Sequence, residues 1–151
     1  HRKGYSENWI TQRLKSIEVR KELTDEWERR GIKRGQEFAT LTDIITQGWS
    51  GMTTRQYKRY KGLRTESLRD NMTNLELVLN MLAEATTTEI SKERRPRTFA
   101  ANRIVAAQGG RIAGNTRREI EAQTGKKIVS RLNAEQVLAA KEIEQNEEEK
   151  E

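Results

Sequence analysis

The side chains best placed to do chemistry in this chain are cations, with a scatter of carboxylates beside them. The only histidine is His1 and there is no cysteine. Imidazole acid-base catalysis, thiolate nucleophiles and Cys/His metal sites therefore have nothing to build on. The acids Asp25-Glu26, Asp43 and Asp70 fall into no metal-ligand or acid-base spacing, and read as caps and first-turn acids. No enzyme activity, no cofactor and no small-molecule substrate are expected.

The cations are unevenly placed. Residues 134–151 hold seven Glu against two Lys, a net of −5, which leaves about +11 on the body beneath an overall +6. Positive charge concentrates in two stretches. Residues 55–69 carry six Lys/Arg against Glu66, and residues 92–118 carry eight against Glu93. Such blocks attract phosphate backbones or acidic protein surfaces, although the same charges can be a solvated, locally paired helix face. In the second block nearly every cation is arginine, the better fork for phosphate. The expected nucleic-acid-binding set is Lys58, Arg59, Lys61, Arg64, Arg94, Arg95, Arg97, Arg103, Arg111, Arg117 and Arg118. These residues would supply affinity and not base readout. The acidic tail would compete with nucleic acid for them.

Three other clusters admit two readings each. Gly109-Gly110-Arg111-Ile112-Ala113-Gly114 has enough glycine for a backbone to approach phosphate, but no Gly-Lys-Ser/Thr follows and no strand precedes it. Close packing of two helices through small residues, with a turn or kink, is the preferred account. Trp9, Trp27 and Trp49 are either base-stacking platforms or core aromatics. Burial is preferred, except that Trp49 sits in an apparent loop with Gly48, Ser50 and Gly51. In Tyr57-Lys58-Arg59-Tyr60-Lys61 the tyrosines share one helical face, and on either reading the cations face outward.

The elements that must position these groups read as helices almost throughout. Ser6 caps a helix with Trp9, Ile10, Leu14 and Ile17 inward. Thr24 opens a second, short helix that carries Trp27 and stops at Gly31. Phe38, Leu41, Ile44 and Ile45 predict a helix to about Gln47, broken by Gly48-Trp49-Ser50-Gly51. Capping boxes stand at Thr53/Gln56, Thr73/Glu76 and Asn133/Gln136. The second introduces the broadest apolar stripe, Leu75, Val78, Leu79 and Leu82 with Leu77 and Met81, expected to be the main core helix. Pro96, the single proline, marks the boundary. Thr98 caps a helix with Phe99, Ile104 and Val105, interrupted at Gly109-Gly110 and stopped at Gly125. Ile128-Val129 is too short for a sheet.

The expected architecture is all-α: a small multi-helix domain over 1–92, a basic linker over 93–98, a helical segment with a Gly-rich break over 99–133, and an acidic, frayed helical tail over 134–151. Leu, Ile, Val and Phe make up only about 19% of the 151 residues, so the core is small. No apolar run approaches the roughly 20 residues of a membrane span, and without cysteine there is no disulfide scaffold. A cytoplasmic location is expected. The start at His1 instead of Met reads as a fragment of a longer chain or a tag remnant, with no signal peptide behind it.

Strings distributed over residues 3–133 resemble a known family. They include Lys3-Gly4-Tyr5-Ser6 with Trp9-Ile10, Arg13-Leu14-Lys15-Ser16-Ile17, Leu23-Thr24-Asp25-Glu26-Trp27, Leu41-Thr42-Asp43-Ile44, Trp49-Ser50-Gly51-Met52 and Tyr60-Lys61-Gly62-Leu63-Arg64. The most specific is Ser67-Leu68-Arg69-Asp70-Asn71-Met72-Thr73-Asn74-Leu75-Glu76, followed by Thr86-Thr87-Thr88-Glu89-Ile90, Ala106 to Gly114 and Thr124-Gly125-Lys126-Lys127. The chain resembles the region behind the BRO-type N-terminal domain of prophage antirepressor-like proteins, a group that includes relatives of DNA-damage-inducible protein D. The resemblance implies a bacterial phage or prophage regulator tied to DNA damage. It carries over no catalytic residue. The BRO-type domain, usually credited with DNA binding, is not among these residues. Two partner classes stay open: DNA through the basic surface, or a protein partner or second copy through the Ala/Gly segment and the Leu75–Leu82 stripe.

Overall fold

A computed structural model describes residues 6–134. Among them the all-α expectation holds, with five α-helices and no strand. The helices are α1 (Glu7–Arg29), α2 (Gln36–Ser50), α3 (Thr54–Tyr60), α4 (Asn74–Arg94) and α5 (Phe99–Thr124), with one 3₁₀ turn at Arg69–Asn71. The expected capping box at Asn133 and the acidic helical tail fall mostly or wholly outside the described residues.

Four of the starts follow the caps read from sequence. The Ser6 hydroxyl accepts the Trp9 N–H, and Thr98 accepts that of Ala101. Thr53/Gln56 and Thr73/Glu76 form complete capping boxes. Thr24 does not open a new helix. α1 runs straight through it, and its hydroxyl donates back to the Lys21 carbonyl, so the helix ends only at Arg29. Gly31, at φ +80°, then lets Ile32 turn inward and donate to the Trp27 carbonyl.

Two expected breaks are absent. α2 continues through Gly48-Trp49-Ser50 and stops at Gly51 in the left-handed region, so Trp49 is a fully buried helix residue and not a loop residue. α5 runs unbroken through Gly109-Gly110. The glycines are there because the backbones of α2 and α5 touch. A Cβ on Gly110 would lie 2.8 Å from the Ile45 carbonyl oxygen, and one on Gly48 would lie 2.9 Å from Gly110. The close-packing account of this segment is therefore right, and no turn interrupts the helix.

α5 lies against α2 and α4, and α1 lies against α4. Leu23 and Trp27 of α1, Leu41, Ile45 and Trp49 of α2, Tyr57 of α3, Leu77, Leu79 and Ala83 of α4, and Ala106 and Ala113 of α5 form one core. The reversal at 95–98, with Pro96 buried, folds α5 back into that core, so the described residues after Pro96 share it.

Two apolar faces are displaced from where periodicity put them. Leu14 and Ile17 are exposed, and α1 instead buries Ser16, Leu23, Glu26 and Trp27. On α4 Leu75 is exposed, while Glu76, Asn80, Glu84, Thr87 and Ser91 are buried with Leu77 and Ala83. The centre of the molecule is thus a polar seam.

Candidate nucleic-acid interface

α3 is a two-turn helix placed by bonds on both sides. Its Thr54 N–H donates to the Asp43 carboxylate of α2 at 3.2 Å. Tyr57 packs edge-on against Trp49, with ring centroids 5.9 Å apart. With Tyr57 turned inward, a period of 3.6 residues turns Arg55, Lys58 and Arg59 outward. Together with Arg64 in the following turn and Arg20 of α1, they line a cleft of about 710 Å³ closed by Ala39, Thr42, Asp43, Thr54 and Leu63. Five cations face one carboxylate, and that carboxylate already caps α3.

Arg20 is a fixed wall of this cleft. It donates to Glu84 at 3.0 Å and to the Thr42 hydroxyl at 2.8 Å, and lies over the Trp27 ring. The Arg55, Lys58, Arg59 and Arg64 side chains make no ion pair among the described residues. The nearest acid in sequence, Glu66, instead accepts backbone N–H groups, including those of Arg64 and Thr65, and these hold its carboxyl below the ordinary range. Four charges are therefore available to an external anion, in a concave site that concentrates their field.

A second basic surface runs along α5. Arg103, Arg111 and Arg118 are exposed and fall within about 80° of one another around the helix. Arg95 and Arg97 are exposed in the turn before it. Arg94 is exposed as well, and donates to Gln108.

Two residues of the expected set do not belong to either surface. Lys61 does not face outward: four residues after Tyr57, it shares that inward face. Its ammonium is fully buried, 2.8 Å from Glu76 and 2.6 Å from the Leu132 carbonyl. Burial pushes this ammonium below its ordinary value against the pull of Glu76. Arg117 is also consumed inside the fold. It donates to the Trp49 carbonyl at 2.6 Å and pairs with Glu121 at 2.7 Å, which ties the end of α2 to α5. The preferred burial of the tryptophans holds for two of the three. Trp27 and Trp49 are buried, and half-buried Trp9 donates to the Met72 carbonyl.

Sequence reasoning missed Arg20 and Arg55 as lining residues, and missed the interior carboxylates. Glu84, buried in α4, accepts from Arg69 at 2.8 and 2.7 Å and from Arg20. Glu26 accepts from Arg29, Arg30 and Ser91. Glu76 accepts from Tyr57, Lys61 and the N–H groups of Thr73 and Ser130. Burial first, then the neighbouring carboxylate, pushes the Tyr57 hydroxyl far above the ordinary range, so it stays a donor.

The interior acids set a pH dependence. Burial raises Glu84, but the charges and hydrogen bonds of Arg69 and Arg20 outweigh it and hold the carboxyl below 4.5. Glu26 is likewise raised by burial and brought below 4.5 by Arg30, Ser91 and Arg29. A carboxyl whose folded value is depressed adds stability that is in place above its unfolded value. That stability is lost as pH falls through the folded value. Urea midpoints are thus expected to be flat from pH 7 to 5 and to drop below about pH 4. In Glu84→Gln the acid-side drop should be shallower, and an identical profile would show that Glu84 does not drive it.

No known family model matches the chain, and no curated protein matches it. No helix among the described residues is long and apolar enough to cross a membrane.

Proposed function

We propose that this chain is a non-catalytic module of a phage- or prophage-type regulatory protein, linked to DNA damage in the bacterial cytoplasm, that associates with nucleic acid through its basic surface. The observation that carries the reading is the cleft between α2 and α3, where Arg55, Lys58, Arg59 and Arg64 stand without carboxylate partners among the described residues. The exposed Arg103, Arg111 and Arg118 of α5 support it as a second row of phosphate contacts. Cations on helices and in a concave cleft suit a phosphate backbone, a contact that gives affinity and not base readout. The regulatory context rests on the resemblance carried by Ser67 to Glu76 and the other strings.

The test is fluorescence anisotropy with a labelled duplex across a salt series. Each phosphate that a cation neutralises adds about 0.9 to the steepness of log K against log salt. Replacing Arg55, Lys58, Arg59 and Arg64 together by Gln is expected to weaken binding at least about tenfold at 0.1 M salt and to flatten the slope by up to about 4. Unchanged affinity and slope in that variant, with weaker binding in Arg103→Gln/Arg111→Gln/Arg118→Gln instead, would move the interface to α5. No binding by the parent chain at low salt would end the nucleic-acid reading.

A protein-interaction or self-association module is the second reading. It is favoured by Leu14 and Ile17, which are 50% and 53% exposed on one side of α1. A strictly monomeric mass in light scattering would count against self-association.

A further inference from the structure

We propose that the cleft between α2 and α3 is a pocket for a terminal phosphate, and prefers that phosphomonoester to the diester of a backbone. Such a group stands at the end of a nucleic-acid strand or on a free nucleotide. The proposal rests on the reading of the cleft as a phosphate site, and four observations carry it further.

The first is a guanidinium fixed before any ligand arrives. Arg20 lines the cleft from α1 and is only 26% exposed. Glu84 holds it at 3.0 Å, the Thr42 hydroxyl at 2.8 Å, and the Trp27 ring lies 5.2 Å away. Those two bonds use two of the five N–H groups of a guanidinium. The rest have no acceptor among the described residues. An anion that reaches Arg20 meets a donor fork that needs no further ordering.

The second is shape. A volume of about 710 Å³ falls in the range of small-ligand sites, roughly 300–1,000 Å³. A strand end or a nucleotide can enter such a recess. A duplex carries its phosphates on convex ridges and can only lie across the mouth.

The third is charge. Arg55, Lys58, Arg59 and Arg64 make no ion pair among the described residues, and Asp43 already accepts from the Thr54 N–H. A diester brings one negative charge. A phosphomonoester brings about 1.5 to 2 at pH 7, on three oxygens. Cations that converge on one recess gain most from the more compact and more highly charged group.

The fourth is the rest of the lining. Ala39, Leu63, Thr42 and Thr54 complete it, and none of the described residues that line it carries an aromatic ring to stack a base. Recognition is therefore centred on the phosphate and indifferent to the base.

Fluorescence anisotropy at low salt tests this with one internally labelled single strand, phosphate-ended or hydroxyl-ended. The phosphate-ended form is expected to bind the full chain at least about tenfold tighter. In Arg59→Gln/Arg64→Gln that ratio should fall to about one. In Arg103→Gln/Arg111→Gln/Arg118→Gln both forms should weaken and the ratio should persist. All five side chains are exposed, so the fold should tolerate these changes. Competition separates the two sources of the phosphate. Adenosine monophosphate that displaces the strand as readily as a phosphate-ended competitor assigns the pocket to a free nucleotide. Displacement only at concentrations on the order of a hundredfold higher assigns it to a strand end with further backbone contacts. Equal binding of the two strand forms overturns the proposal while the nucleic-acid reading stands. A ratio unchanged in Arg59→Gln/Arg64→Gln also overturns it. If neither strand binds, but calorimetry shows adenosine monophosphate binding that this variant loses, the phosphate pocket stands and the nucleic-acid reading fails.

Discussion

Glu84→Ala is expected to cost about 3–5 kcal/mol of folding stability, measured as a shift of the urea midpoint followed by tryptophan fluorescence. The Glu84 side chain is 1% exposed and stands between two guanidinium groups, with Arg69 at 2.7 Å and Arg20 at 3.0 Å. Those arginines are only 20% and 26% exposed, so neither can turn fully to water when the carboxylate goes. Two half-desolvated positive charges would then face each other unneutralised. Asn80, which donates to Glu84 and accepts the Trp49 indole N–H, would lose an anchor as well. The cost comes from leaving the partners stranded and not from a large net worth of the ion pair. A triple variant with Glu84, Arg69 and Arg20 all replaced by apolar residues of similar volume is therefore expected to recover most of the loss. A Glu84→Ala midpoint within about 1 kcal/mol of the parent would mean that water reaches the seam.

Gly110→Ala is expected to destabilise by about 2–3 kcal/mol, although the same exchange in an open helix gains about 1 kcal/mol. The sign reverses because the new methyl would sit 2.8 Å from the Ile45 carbonyl oxygen and 3.1 Å from the Gly48 Cα. These are backbone atoms in the middle of a helix and cannot rotate away. Gly48→Ala meets the same wall from the other side, 2.9 Å from Gly110. Since each methyl forces the same separation of α2 from α5, the double variant should cost less than the sum of the two. Hydrogen exchange gives a second measurement, with the amides of α2 and α5 losing protection together. A variant as stable as the parent would show that the two backbones are not in contact.

The fold class was legible because most helix starts are encoded locally. A Thr hydroxyl at a helix start satisfies a first-turn N–H without help from the rest of the chain; Thr53 and Thr73 do so in boxes with Gln56 and Glu76, and Thr98 caps by its hydroxyl alone. Thr24, followed by the acids Asp25 and Glu26, also looks like a cap, but it sits inside a helix already propagating from Ser6. Continuing that helix costs less than nucleating a new one. The glycine pairs misled for the opposite reason. Local propensity counts Gly48 and Gly110 as breakers, yet their lack of a Cβ is what allows two helices to approach, and that contact holds both helices together.

The site was half legible. Lys58, Arg59 and Arg64 do share one cleft, because their run of positive charge is local. Lys61 and Arg117 belong to the same runs by composition, but their directions depend on Tyr57 facing Trp49 and on α5 meeting the end of α2. Helical spacing alone held one usable clue, since Lys61 stands four residues from inward-facing Tyr57.

Short-range patterns in the chain were enough to indicate helices throughout the described residues, and composition alone gave a basic body and an acidic tail. Only tertiary packing decided which charges are spent inside. Glu26, Glu76 and Glu84 look like solvent-facing helix acids until helix packing brings arginines and a lysine within hydrogen-bond reach. Whether a charge is buried depends on partners far away in sequence: 64 residues separate Arg20 from Glu84, and 65 separate Glu26 from Ser91. A desolvated carboxylate is tolerable only where such partners converge, and their convergence is a property of the packed helices and not of any one segment.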